Sequence, residues 1–211
     1  ADFAAAHAIP CRMTREDVPA YAARHGLSVE MAARERRYRF LRRTAGEMGP
    51  GTVIATGHQA EDQAETVLMR ILRGTGLHGL SAIRPRRGNV VRPLLSVSRA
   101  DIEAYCLQEG LSPRQDATNA EMDAVRNRLR LELMPLLRDR YNPEITMALC
   151  RLADIARDEG DFLRRSVEAI WQKVAQPIPE GWALARSAFS QQPVALQEGI
   201  LRRLAEVLGE R

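Results

Sequence analysis

The chain has 211 residues, 45% of them apolar and 27% charged, with a formal net charge of +4. That is enough for one domain with a full core, or one domain plus an appendage, and it excludes a disordered or fibrous polypeptide. No run approaches the roughly 18 to 20 apolar residues of a membrane span, no signal peptide precedes the first helix, and Cys11, Cys106 and Cys150 are odd in number without Cys-x-x-Cys spacing; a soluble cytoplasmic protein with incidental thiols is expected.

Residues 1–12 read as the tail of a helix followed by a strand, with Ile9-Pro10 at the join. Thr14 is placed to cap a helix closed by Gly26, and Ser28 to cap a longer one reaching Met48. In that longer helix Met31, Tyr38, Leu41, Ala45 and Met48 form the expected buried stripe, with Arg34, Arg36, Arg37, Arg39, Arg42 and Arg43 around the remainder. A β-branched run at residues 52–56 meets Gly57, and from Ala60 the period becomes helical. Ala60, Ala64, Val67, Ile71 and Leu72 take one side of this helix, while His58, Asp62, Glu65 and Met69 take the other. An imidazole and two carboxylates thus stand just beyond the carboxyl end of a strand, where parallel α/β sheets bind ligands. A solvated polar face and a metal shared by His58 and Asp62 at i, i+4 are the other readings of the same pattern.

After glycines at 74, 76 and 79, residues 81–88 read as a basic loop and 89–95 as a short buried strand. Seven arginines and no acidic residue lie between Glu65 and Asp101, a run of one sign that suits phosphate-rich partners. Ser98 and Asp101 resemble a capping box for a helix to about Glu109. Asp116 and Asn119 can close an Asx-type turn, and Arg126 and Arg130 share one helix face at i, i+4. Pro135 interrupts residues 131–137, and a boundary is expected near residue 140. A long helix opened by Pro143 should run to about Ala175 with a break at Gly160, then a linker at 176–181, a short strand at 182–186 and a last helix at 193–208.

Five landmarks in order carry a resemblance. His58-Gln-Ala-Glu-Asp-Gln-Ala-Glu-Thr66 resembles the His-x-x-Asp-Asp-Gln-x-Glu-Thr signature of the tRNA(Ile)-lysidine synthetases, members of the PP-loop ATP pyrophosphatase superfamily, departing at Glu61, where the family has Asp. Ala32-Ala-Arg-Glu-Arg-Arg-Tyr38, Arg92-Pro-Leu-Leu95, Asp116-Ala-Thr-Asn119 and Arg126-Asn-Arg-Leu-Arg130 are similar to further family motifs. The family's Ser-Gly-Gly-x-Asp-Ser loop, which cradles pyrophosphate on backbone amides, does not occur in these 211 residues.

The resemblance implies an α/β fold, a parallel sheet with flanking helices of the adenine nucleotide alpha-hydrolase kind, incomplete at the amino end and followed by a helical region. Residues 1–140 would be a partial catalytic domain, and 141–211 a helical linker with the start of a substrate-binding domain. It further implies that ATP, with Mg2+, adenylates the wobble cytidine of tRNA(Ile) and that L-lysine then displaces AMP. Arg37 and His58 would serve the nucleotide, and Asp62 and Glu65 the lysine. Arg73, Arg86, Arg87, Arg92, Asp116, Asn119, Arg126 and Arg130 would hold the anticodon stem-loop. No protein-held metal is expected, a homodimer is left open, and the isolated 211 residues are expected to be inactive for want of the pyrophosphate loop. The alternatives are a PP-loop tRNA thiolase, against which the scattered cysteines argue, and a tRNA-binding fragment without catalysis.

Overall fold

A computed structural model describes residues 2–113 and 124–209, in two compact units. The first comprises residues 1–59 and 84–132, the second residues 60–83 and 133–211.

The first unit begins with a short helix, α1 (Asp2–Ala6), and the strand expected by residue 12 does not form. Helix α2 (Val18–His25) is capped by Asp17, whose carboxylate accepts from the Ala20 amide at 3.0 Å. The cap falls three residues beyond Thr14 because Pro19, which lacks an amide donor, belongs in the first turn. Ser28 opens α3 (Val29–Met48) as expected, accepting from the Met31 amide at 3.2 Å. The buried stripe of α3 agrees with the expected one over Tyr38, Leu41 and Ala45, where Ala45 is buried with the other two packed beside it, and differs at its ends: Met31 and Met48 are 59% and 67% exposed, and Ala32 is buried. Two small cores meet α3 near its ends, Tyr21 and Ala22 against Ala32, and Ile54 and Val90 against Ala45, so the closest approaches fall on alanines.

Strand β1 (Ile54–Ala55) pairs in parallel with β3 (Val90–Val91), and β2 (Arg86–Arg87) lies antiparallel to β3, giving the order β1-β3-β2. The parallel pair is the one expected; the basic stretch at 81–88 is not all loop. Arg87 pairs with Val90 across Gly88-Asn89, and Gly88 at φ 61° supplies the left-handed turn that a two-residue hairpin requires. Ser98 caps α6 (Arg99–Gln108), accepting from the Asp101 amide at 3.1 Å and donating to the Asp101 carboxylate at 2.6 Å. Helix α7 (Ala124–Arg128) runs into a π-helical turn at Leu129–Leu133.

The second unit holds α4 (Ala60–Leu72), α5 (Leu77–Leu80), α8 (Met134–Arg140), α9 (Ile145–Val174), the hairpin β4 (Ala175–Ile178) and β5 (Gly181–Leu184), α10 (Arg186–Ser190) and α11 (Val194–Gly209). Pro135 opens α8 rather than breaking a helix. Helix α9 continues through Gly160 for 30 residues. A helical glycine costs only about 1 kcal/mol relative to alanine, and burial of Ala153, Ala156, Val167 and Trp171 on either side offsets it. The expected linker at 176–181 is instead β4 and the turn of a hairpin whose second strand, β5, is the short strand expected from residue 182; Pro177 is tolerated there because a two-stranded ribbon has free edges. One core gathers Ala64, Val67, Met134, Leu149 and Ala153 between α4, α8 and α9; another gathers Val167, Trp171, Val174 and Ile200 under the hairpin and α11.

Candidate active site

Helix α4 carries the two candidate lysine carboxylates. Ala60 and Ala64 are fully buried, as is Ala153 of α9, so the two helices approach closely along small residues. The Cys150 thiol of α9 donates to the Ala60 carbonyl at 3.4 Å, and the buried Gln63 carboxamide accepts from the Ile83 amide at 2.8 Å. Start and flank of α4 are thereby held. Asp62 is half-buried in the first turn, and its carbonyl accepts from the Thr66 hydroxyl at 2.7 Å.

Glu65 departs from the expected open polar face: it is only 2% exposed, and both it and Asp62 are engaged with neighbours. Ile71 and Leu72, expected to be buried, are exposed. The buried positions Ala60, Gln63, Ala64, Glu65 and Val67 wrap more than half of the first two turns, so α4 is enclosed at its start and open at its end. A carboxylate at that depth needs a compensating hydrogen-bond or charge partner.

In the first unit His58 follows β1 at its carboxyl end. Thr56 extends the pairing of β1, its amide donating to Val91 at 3.0 Å, and its hydroxyl shares a hydrogen bond of 2.9 Å with His58 Nδ1. The backbone bond places the threonine and the threonine orients the ring, a contact that the sequence pattern did not signal. Arg37 lies on the exposed side of α3.

The basic residues separate by depth. Arg86 and Arg87 are exposed on β2, and Arg73 is exposed after α4. Arg92 is 9% exposed and donates to the Arg84 carbonyl at 2.7 Å, so its guanidinium pins the turn before β2. Arg126 and Arg130 are half-buried, and the wider π-turn moves Arg130 out of strict i, i+4 register with Arg126. Asp116 and Asn119 lie outside the described residues.

An open cleft of about 420 Å³, also in the first unit, went unmarked in the sequence. It lies at the amino end of β1 and β3, opposite His58, between Arg42 and Gly46 of α3 and Arg86 and Asn89 of the hairpin. Four glycines line it, Gly46 within α3 and Gly49, Gly51 and Gly88 beyond it, and the last three read equally as turns.

Among the described residues no cluster of three or more His, Cys, Asp or Glu is arranged to hold a metal ion, and no helix is long and apolar enough to cross a membrane. Burial pushes the Cys150 thiol up to about 11, with Asp154 and Glu61 adding to the effect. Treatment with a thiol reagent at pH 8 should therefore modify exposed Cys11 and leave Cys150 intact until the chain is denatured, as read by peptide mass. The raised value also sets a direction for stability. Folding favours the protonated thiol, so its contribution is present below the ordinary value of 9.0 and is lost as pH rises towards about 11.

Residues 1–137 match the PP-loop domain family. The chain is 37% identical to a tRNA(Ile)-lysidine synthase of Dehalococcoides mccartyi over 98% of its own length and 45% of that relative's. It is 40% identical to one of Clostridium acetobutylicum over 90% of itself and 41% of the relative, and 41% identical to one of Symbiobacterium thermophilum over 83% and 38%. The chain thus spans less than half the length of these curated relatives. It belongs to the PP-loop domain family, whose α/β fold it shares.

Proposed function

We propose that this PP-loop chain is the lysine- and nucleotide-handling part of a tRNA(Ile)-lysidine synthase. ATP adenylates O2 of the wobble cytidine, and the lysine ε-amine then attacks C2, breaking the bond to the oxygen that leaves with AMP. The carrying observation is the run from His58 to Thr66, in which an oriented imidazole at a strand end is followed within one helical turn by Asp62 and, three residues on, by Glu65. The family membership and the names of the relatives support the same reading.

A cationic amino acid needs carboxylates aimed at it, and Asp62, half-buried, is placed to take the ammonium directly. Glu65 lies deeper; its charge strengthens the field on that ammonium where water screens it little. Arg37, exposed on α3, stabilises charge on the leaving pyrophosphate, and His58 lines the nucleotide side. Magnesium ordinarily keeps several waters and joins one or two carboxylates to substrate phosphates, so the ion would arrive on the nucleotide rather than wait in a protein cage. Arg73, Arg86, Arg87, Arg126 and Arg130 serve the anticodon stem-loop, whose wobble base is splayed out for chemistry. Arg92, buried against the Arg84 carbonyl, supports Arg86 and Arg87 instead of touching RNA. Residues 1–140 form part of the catalytic domain, 141–211 lead to the substrate-binding region, and the work is done in the cytoplasm.

The test is an assay of a polypeptide joining this chain to a Ser-Gly-Gly-x-Asp-Ser loop. With ATP, lysine and tRNA(Ile), AMP release should require both lysine and the tRNA, and nuclease digestion should yield a cytidine heavier by lysine less water. AMP release that ignores lysine, or a product carrying sulfur, would refute the proposal.

A further inference from the structure

Of the side chains lining the cleft at the amino end of β1 and β3, only Arg86 has a part in the reading above. Residues 52 and 58 lie six positions apart along the strand, up to about 20 Å at roughly 3.3 Å per residue, so the cleft is remote from the His58 end of the same strands.

Its chemistry is specific. No acidic and no aromatic side chain lines it; the polar lining is Arg42, Arg86, Thr52 and Asn89 over glycine backbone. Arg42 and Arg86 make no ion pair among the described residues, although Arg86 Nε donates to the Gly88 carbonyl at 3.1 Å, leaving its terminal nitrogens for another acceptor. The neighbouring Glu47 is engaged by Arg12 and by Arg43, so it does not neutralise Arg42. Two carbonyls at and just beyond the end of α3, which would repel an anion, are engaged. Gly46 accepts from the Gly49 amide at 3.3 Å, and Gly49 accepts from the Thr52 hydroxyl at 2.8 Å.

Arg42 is held over the Tyr38 ring, its guanidinium carbon 5.8 Å from the centroid, and Arg34 lies over the same ring at 5.0 Å. Two exposed arginines eight positions apart on α3 therefore form a cationic stripe of about 12 Å, at 1.5 Å per residue, running into the cleft. With Tyr38 covered and no other ring in the lining, nothing there can stack a base. The lining suits phosphate rather than nucleobase, and an open-walled groove prolonged by a stripe suits a chain of phosphates rather than one small anion.

Resting on the RNA-modifying reading above, we propose that this cleft and the Arg34–Arg42 stripe are a second docking surface for the phosphodiester backbone of the RNA substrate. It grips the RNA away from the reacting base and independently of sequence.

The experiment measures binding of a labelled anticodon stem-loop RNA to the 211-residue chain by fluorescence anisotropy across a salt series. Each phosphate contact contributes about 0.7 to 0.9 to the slope of log affinity against log salt. The double variant Arg34→Gln/Arg42→Gln, which spares Arg86, should flatten the slope by about 1.4 to 1.8 and weaken binding about tenfold or more at low salt. Arg34→Lys/Arg42→Lys should restore the slope, and Arg39→Gln/Arg43→Gln, which alters arginines already paired on α3, should leave it close to wild type. An unchanged slope in the glutamine variant overturns the proposal, as does loss of free ATP binding with RNA binding intact. A stem-loop of unrelated sequence should show the same flattening. The surface is thus tested separately from lysine-dependent AMP release, on which the catalytic reading stands.

Discussion

Replacing Asp62 by alanine is expected to lower kcat/KM for lysine by about 10²- to 10³-fold while leaving the affinity for ATP within about twofold. Removing one carboxylate from a partly buried ion pair costs about 3 to 5 kcal/mol, because the partner charge stays in place without compensation. Asp62 is half-buried in the first turn of a helix whose start is fixed by the Cys150 to Ala60 hydrogen bond and by fully buried alanines. Substitution should thus remove the charge without moving the backbone. Asp62→Asn, which keeps the size and loses the charge, should behave almost alike in the joined polypeptide. Lysine-dependent turnover unchanged in Asp62→Ala would sink the lysine assignment, and a general loss of ATP binding would move the residue to the nucleotide.

Trp171→Ala is expected to destabilise the second unit by about 3 to 5 kcal/mol, the range for deleting a large buried aromatic. Trp171 lies under the β4–β5 hairpin and α11, packed in the cluster of Val167, Val174 and Ile200. Its ring centroid is 5.3 Å from that of Trp182, and the Arg203 guanidinium sits over it at 5.8 Å. A two-stranded ribbon is marginal without packing of this kind. Denaturant unfolding followed by tryptophan fluorescence should show a lower midpoint, and proteolysis should cut first within residues 175–209. A midpoint within about 0.5 kcal/mol of wild type would mean that the hairpin is held by its hydrogen bonds rather than by this ring.

Burial explains where the sequence pattern was read correctly and where it was not. Ser28, Gly26 and Ser98 are legible because capping is local: the side chain that stops or starts a helix lies within three residues of the amide it satisfies. The β-branched run meeting Gly57 and then a helical period was enough to place β1 before α4. Of the hairpin at 175–184 only the second strand is legible; β4 and the pairing are hidden because they depend on a packed ring beneath them, while Pro177 and Gly181 look like linker chemistry from either side. The break expected at Gly160, which α9 does not have, is the converse case, a locally weak helix position held by long-range packing.

At the site itself, the order of residue types from His58 to Thr66 is legible in the sequence alone, and it points to the PP-loop family to which the chain belongs. Depth was not. Periodicity assigns a residue to a side of a helix, but how much of the circumference is covered depends on what packs there. Only the tertiary structure could therefore put Glu65 at 2% exposure while Asp62 stays half-open, turn Arg92 inward onto the Arg84 carbonyl, and gather Arg42, Arg86 and four glycines around one cleft.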